Sequence, residues 1–174
     1  MAATWQDQLY EHLKQLGISL ICYVPDGGHA TAISRAEADP DVIAIPLTTE
    51  AEGVPLLAGH HLGGGKGVLL MQSSGVGNCV YQFSLIHFGR FPFYSIITMR
   101  GEFGEQNPWQ VAMGRGVQPV MEAMGMMCLR ADREDEVLTT ASGADDLVFG
   151  VNHAVGLMWS NSGVDAKQVG GGAP

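Results

Sequence analysis

The residues of this sequence that could do chemistry lie where apolar runs end, and Glu50 is the most informative of them. It follows an apolar run at 41–47 and opens a small-residue, apolar segment at 50–62. A strand that gives way to a helix there would place the carboxylate among free backbone N–H groups. Glu50 could simply interact favourably with the helix dipole. Alternatively it contacts a ligand, because ligands of open α/β sheets bind at that edge.

Other polar residues occupy equivalent positions after three further apolar runs. Asp26 and His29 follow the run at 18–24, the segment 72–78 follows a third run, and Arg100 follows a fourth. The carboxyl ends of parallel strands share one edge of a sheet, so we expect these residues to lie on the same edge as Glu50.

The segment 72–78 is a glycine-rich turn into a predicted helix. It contains Gln72, Ser73, Ser74, Gly75 and Asn78. Such a turn can cradle an anion, but this one has neither the lysine of a P-loop nor the spacing of a dinucleotide fingerprint. A tight strand-to-helix crossover explains the glycines equally well.

The elements that must position these residues alternate along the chain. Apolar runs predict strands at 18–24, 41–47, 67–72, 92–99 and 126–129, and periodic segments predict helices at 5–16, 29–38, 50–62, 78–88, 116–124 and across 132–159. Unbroken apolar strands joined by helical crossovers indicate a doubly wound α/β fold, with a mostly parallel sheet and helices on both faces.

The length predicts one domain over residues 1–160 and a disordered tail at 161–174. No apolar strand is predicted after the last helix. The polar, glycine-containing stretch 100–115 is too long for a tight connection, so it is a candidate functional loop.

Charge and composition exclude several functions. The chain has 174 residues and a net charge of −9, which disfavours DNA or RNA as a partner because nucleic-acid affinity depends on Lys and Arg. No run is long and apolar enough to span a bilayer, and the first residues do not form a secretory signal. We therefore expect a cytoplasmic protein with no membrane association.

Three cysteines, Cys22, Cys79 and Cys128, are widely spaced and form no Cys-x-x-Cys pair. They are predicted to be reduced thiols, as in other cytoplasmic proteins. Cys79 has the alternative of being a reactive thiol at a helix start. No metal site is predicted.

Taken together, these motifs resemble the pyrimidine-binding domain of thiamine diphosphate enzymes. Within that group the sequence is similar to the α subunits of sulfopyruvate decarboxylases, and then to the phosphonopyruvate decarboxylases. The motifs are Val24-Pro25-Asp26, Glu50 with Glu52-Gly53, the run from Met71 to Asn78, Arg100-Gly101-Glu102 and Met113-Gly114-Arg115. The resemblance covers roughly residues 5–130.

The resemblance implies that Glu50 is catalytic. In this family a buried glutamate hydrogen-bonds the pyrimidine ring nitrogen opposite the exocyclic amine, which favours the imino tautomer that deprotonates the thiazolium carbon. It also implies that residues Gln72, Ser73, Ser74, Gly75 and Asn78 contact the cofactor. Glu52, two residues further along the helix, would be a surface or supporting charge.

The resemblance gives three further residues possible roles in catalysis or substrate binding. Asp26 would be an additional acid or base, His29 a catalytic group or a partner for a substrate anion, and Arg100 a forked ligand for a sulfonate or carboxylate. Alternatively, Asp26 and His29 form only a turn with His29 exposed, and Arg100 pairs with Glu102 at the surface. The sequence Pro-Asp-Gly-Gly-His at 25–29 departs from the family, where a serine and larger apolar residues are common.

The family also requires a diphosphate- and magnesium-binding domain marked by a Gly-Asp-Gly step, which this sequence lacks. The resemblance therefore implies a separate β subunit that binds magnesium and the diphosphate of the cofactor. The expected reaction is decarboxylation of a 3-substituted pyruvate, a 2-oxo acid: sulfopyruvate would give sulfoacetaldehyde and carbon dioxide. The alternatives are a phosphonopyruvate decarboxylase subunit, or a non-catalytic partner or regulatory module that keeps the fold.

Overall fold

A computed structural model describes residues 4–160 and contains a six-stranded sheet in which every strand pair is parallel. The strand order is β2-β1-β3-β4-β6-β5. The strands are β1 (Ile18–Tyr23), β2 (Ile43–Pro46), β3 (Lys66–Gln72), β4 (Phe93–Thr98), β5 (Met127–Ala131) and β6 (Ala154–Trp159). The helices are α1 (Trp5–Gln15), α2 (Ala30–Ala38), α3 (Glu50–Leu62), α4 (Ser73–Cys79), α5 (Phe83–Gly89), α6 (Gln110–Ala123) and α7 (Val137–Asp145).

Helices cover both faces of the sheet, so the predicted doubly wound α/β fold is confirmed. Side chains alternate between the faces along each strand. In β3, Val68 and Leu70 join the core under α1, α2 and α7, while Leu69 and Met71 join the core under α3, α4, α5 and α6. The central strands are therefore buried on both sides, which explains their unbroken apolar sequences.

The first helix begins at the predicted residue, Trp5, and ends at Gln15, one residue before its predicted end. Thr4 accepts a hydrogen bond from the Asp7 N–H, and the Asp7 carboxylate accepts one from the Thr4 N–H, which together form a capping box. Gly17 follows the helix with φ +84°, a left-handed conformation that favours glycine.

Three predicted elements differ from the structure near the candidate site. The run at 41–47 forms only the short edge strand β2, which is half exposed rather than buried, because it has a neighbour on one side only. The segment 78–88 is not one helix, since α4 already begins at Ser73 and α5 follows it. Helix α6 begins at Gln110, so the last six residues of the predicted loop 100–115 are helical.

The prediction that 132–159 is helical is wrong for its last part. Helix α7 ends at Asp145, and β6 then enters the sheet between β4 and β5. A sixth strand thus follows the last helix, which the sequence pattern does not predict. Asn152, with φ 59°, turns the chain before this strand. The predicted tail at 161–174 lies outside the described residues.

Helix α6 and the segment after β4 approach each other at backbone contact distance. A Cβ on Gly114 would lie 2.1 Å from the carbonyl oxygen of Arg100, and a Cβ on Gly101 would lie 2.3 Å from that of Gln110. Only glycine allows this approach, which accounts for the glycines of the Arg100-Gly101 and Met113-Gly114 motifs.

We predict that Gly114→Ala destabilises the protein by about 1 to 3 kcal/mol, because the backbone of Arg100 cannot move aside as a flexible side chain would. Gly116→Ala, two residues further along the same helix, is the matched control. A Cβ there meets only the Met113 methyl, at 4.0 Å, so helix propensity should make this change neutral or stabilising by up to about 1 kcal/mol. Urea unfolding of both variants measures the difference, and equal midpoints would contradict the packing argument.

Candidate active site

The predicted site residues lie together at the carboxyl edge of the sheet. Strands β1, β3 and β4 are neighbours, and their ends lead to Asp26, to the start of α4 and to Arg100. Glu50 follows β2, which pairs with β1 on the other side. Since all the strands are parallel, the connections that follow them emerge on this one edge.

Glu50 is buried at the first turn of α3, with 5% of its surface exposed. Its Oε2 accepts a hydrogen bond of 2.8 Å from Nδ2 of Asn78, on α4. Among the described residues no hydrogen bond reaches Oε1, so this oxygen can serve a ligand. Glu50 thus contacts a side chain of another helix as well as lying in the first turn of α3, and its ligand-binding role stays a prediction. Glu52 is exposed and accepts from the Thr48 N–H instead.

Gly75 makes room for the buried carboxylate. A Cβ at this position would lie 2.5 Å from both Cδ and Oε1 of Glu50. Any side chain would therefore displace the carboxylate, which gives Gly75 a specific role in the glycine-rich turn. Cys79 lies nearby and is buried; burial, and secondarily the charge of Glu50, raise the pKa of its thiol to about 12. The alternative of Cys79 as a reactive thiol is thus disfavoured.

Residues 72–74, which lead from β3 into α4, differ in their surroundings. The buried Ser73 hydroxyl accepts a hydrogen bond of 2.9 Å from the Arg100 N–H, which joins the ends of β3 and β4. Gln72 carries a buried Oε1 that has no hydrogen-bond partner among the described residues. Ser74 is half buried on the first turn of α4. Buried acceptors without a partner are uncommon, and Gln72 is thus suited to a ligand N–H.

Asp26 joins the end of β1 to the end of β4. Its Oδ2 accepts hydrogen bonds from Oγ1 of Thr98 at 2.5 Å and from the Gly28 N–H at 3.2 Å. A Cβ on Gly28 would lie 2.5 Å from Cγ2 of Thr98. The small residue at position 28, which departs from the family pattern, is therefore what allows this loop to approach β4.

His29 is buried, so the alternative in which it is exposed in a turn is wrong. Its Nε2 lies 3.2 Å from the carbonyl oxygen of Met71, which can only accept, so Nε2 carries the proton. Burial lowers the pKa of His29, although Asp26 and the Met71 carbonyl favour the charged form. A buried imidazole with a lowered pKa is poorly suited to neutralise a substrate anion, and the catalytic role of His29 stays a prediction.

Arg100 pairs with Glu105, not with Glu102 as the surface alternative expected. Its Nε and one terminal nitrogen donate to the two Glu105 oxygens at 3.0 and 3.1 Å. Glu105 also accepts from the N–H groups of Gly101 and Asn107, and its side chain is only 2% exposed. The forked face of the guanidinium is thus occupied, and anion binding by Arg100 would use its remaining donors.

Sequence reasoning missed Thr98 and Glu105. Thr98 is the last residue of an apolar strand, and Glu105 lies in a polar loop, so neither stands out as a functional residue. The sequence offers one indication for Glu105: it is an acidic residue five positions after Arg100. Both residues hold a predicted site residue in place through hydrogen bonds.

Hydrogen bonds from Arg100 and the Gly101 N–H lower the pKa of Glu105 from its ordinary 4.5 to about 2. A depressed pKa stabilises the fold at pH values above 4.5, and this contribution is lost as the pH falls from 4.5 towards 2. We predict that Glu105→Gln costs about 1 to 3 kcal/mol at pH 7, and that the difference from the unmodified protein shrinks below pH 4.5.

Thermal unfolding of both proteins from pH 7 to pH 3 tests this. Glu134→Gln, which changes an exposed glutamate, is the control and should show no comparable change. A Glu105→Gln deficit that stays constant over the whole range would contradict the linkage.

Comparison with known proteins identifies relatives over most of the chain. No protein-family model matches it. The α subunit of sulfopyruvate decarboxylase from Methanocaldococcus jannaschii is 30% identical over 152 residues, which are 87% of this chain and 90% of the relative. Phosphonopyruvate decarboxylase from Streptomyces viridochromogenes is 35% identical over 130 residues, which are 73% of this chain but 33% of that protein.

The fold also matches solved structures. One, from Mycobacterium smegmatis, is described as a thiamin diphosphate-dependent enzyme; it superposes with a TM-score of 0.67 over 92% of this chain and 31% of its own, at 14% identity. At that identity the match supports the fold alone. It confirms the fold that the sequence resemblance implied.

Proposed function

This chain belongs to the family of sulfopyruvate decarboxylase α subunits, and from that premise we propose that it is the pyrimidine-binding subunit of a thiamine diphosphate-dependent decarboxylase. The observation that carries the proposal is the buried carboxylate of Glu50, fixed through Oε2 by Asn78 and free at Oε1. A buried carboxylate with one uncommitted oxygen is suited to hold a proton against a ligand nitrogen.

The residues around Glu50 fit one end of thiamine diphosphate. Gly75 leaves space beside the carboxylate where a Cβ would clash, and Gln72 supplies an acceptor without a partner. Glu50, Gln72, Ser73, Ser74, Gly75 and Asn78 would hold the aminopyrimidine. When bound, the cofactor supplies a nucleophilic carbon and an electron sink for the decarboxylation of 2-oxo acids.

In this proposal the residues of the chain position and exchange protons. Glu50 would hold a proton for the pyrimidine ring, and Asn78 keeps the carboxylate oriented. Asp26 lies on the same edge and is available as a further acid or base, with Thr98 and Gly28 fixing its orientation. His29 connects the loop after β1 to β3 through a hydrogen bond to the carbonyl oxygen of Met71.

We propose a 3-substituted pyruvate as substrate, with sulfopyruvate ahead of phosphonopyruvate. This chain matches 90% of the length of the sulfopyruvate decarboxylase α subunit from Methanocaldococcus jannaschii. It matches only 33% of the length of the phosphonopyruvate decarboxylase. Both substrates carry a second anionic group, for which Arg100 is the candidate ligand at this edge.

We propose further that a separate β subunit binds the magnesium ion and the diphosphate. The relatives named as α subunits support a partner chain. Four large aromatic side chains are mostly exposed, and a partner chain that covered them would remove their apolar surface from water. These are Tyr81, Phe88, Phe103 and Trp109, which are exposed by 83, 85, 99 and 74%. Free cysteines among the described residues agree with a cytoplasmic enzyme.

We predict that Glu50→Gln lowers carbon dioxide release by at least about 100-fold when the chain is co-purified with its β subunit, because the amide cannot exchange a proton. Glu52→Gln is the matched control: it removes an exposed glutamate from the same helix turn and should keep activity within about twofold. Cofactor binding is measured in parallel by fluorescence. Full activity of Glu50→Gln at limiting cofactor would refute the mechanism.

A substrate series separates the alternatives. Sulfopyruvate, phosphonopyruvate and pyruvate are compared by kcat/KM with the α chain, the β chain and both together. We expect activity only with both chains and the highest kcat/KM for sulfopyruvate. Highest activity on phosphonopyruvate would assign the chain to that reaction, and no activity with a β subunit that binds the cofactor would favour a non-catalytic module.

A further inference from the structure

A second cluster of functional groups lies at the opposite, amino edge of the sheet. Arg90 precedes β4, His153 precedes β6, and His87 lies on the last turn of α5. These three side chains line one open cavity of about 480 Å³. Because β4, β6 and β5 are neighbours, the segments that lead into them converge around this cavity.

The cavity wall contains a positively charged arginine, whereas the whole chain has a net negative charge. The sequence contains 18 Asp and Glu against nine Lys and Arg, yet none of the ten described residues that line the cavity is acidic. Within residues 4–160, no ion pair or side-chain hydrogen bond engages Arg90, His87 or His153. Most other arginines of the described chain, Arg35, Arg100, Arg130 and Arg133, are paired with carboxylates.

The backbone holds this cluster in an unusual conformation. Arg90 has φ 53° and Asn152 has φ 59°; among the described residues they are the only non-glycine residues with positive φ, and both line the cavity. Glycine is usual at a helix C-cap with this conformation, and the left-handed backbone of an arginine there costs conformational free energy. The Phe93 N–H donates to the carbonyl oxygen of His153, which links the two strand entrances.

The remaining wall is apolar. Ile86, Phe91, Met124 and Val151 line the cavity together with the cluster. A wall with one arginine, two histidines and an apolar side is suited to an anion that also carries an apolar group, since the guanidinium binds planar oxyanions and the apolar side can contact the apolar group.

We propose that the cavity bounded by Arg90, His87 and His153 is a binding site for a small organic anion, a carboxylate, sulfonate or phosphonate with an apolar part. The site is at the edge of the sheet opposite Glu50. A ligand bound there does not occupy the candidate active site, and the inference does not depend on the proposed reaction.

The probe is benzenesulfonate, titrated calorimetrically into the full chain, with inorganic sulfate and benzyl alcohol as charge-only and apolar-only comparisons. Saturable one-to-one binding is expected for benzenesulfonate, at least about tenfold tighter than for either comparison. Amide NMR shifts should concentrate on the segments that contain Arg90 and His153. Shifts confined to the segments that contain Asp26 and Glu50, or no saturable binding, would overturn the proposal.

Two variants test the wall itself. Arg90→Asn removes the charge but tolerates the left-handed conformation, and it should weaken binding about tenfold or more. Val151→Glu adds a carboxylate at an exposed wall position and should weaken binding similarly. Arg133→Asn, which removes an exposed arginine elsewhere, is the control and should bind within twofold of the unmodified chain. Unchanged binding in both wall variants would overturn the assignment.

Discussion

The candidate active site depends on one hydrogen bond and one absent Cβ. The carboxylate of Glu50 is buried, and burial of an ionisable group is costly unless polar contacts compensate. Asn78 supplies such a contact, and Gly75 supplies the space in which the carboxylate lies. Because these two residues occupy α4 and Glu50 begins α3, the contact also joins the two helices at the sheet edge.

A chain of polar contacts continues from this point along the strand ends. Ser73 joins the end of β3 to Arg100, and Asp26 joins the end of β1 to Thr98. Glu105 then holds Arg100 and the turn that follows it. Connections that would otherwise be mobile loops are thus tied to neighbouring strands, which favours a site arranged before any ligand binds. At the amino edge, no such pairing within residues 4–160 engages the side chain of Arg90.

The sequence predicted elements best where local pattern and burial agree. Helix α3 was predicted to the residue, because an acidic start, small apolar residues and a glycine end are all local features. Strand β6 was missed because Ala, Leu and Met favour helices and its burial between β4 and β5 comes from distant residues. The half-exposed position of the edge strand β2 cannot be read from the sequence, because an apolar run does not reveal how many neighbours a strand will have.

By itself the sequence determined the parallel α/β fold, the shared edge of Asp26, Glu50, the turn at 72–78 and Arg100, and the family. These follow from periodicity and motif order, which are properties of short segments. The tertiary structure alone decided which oxygen of Glu50 is free, that His29 is buried, and that Arg100 pairs with Glu105. Those contacts join residues on different elements or across a turn, and their distances depend on how the chain packs.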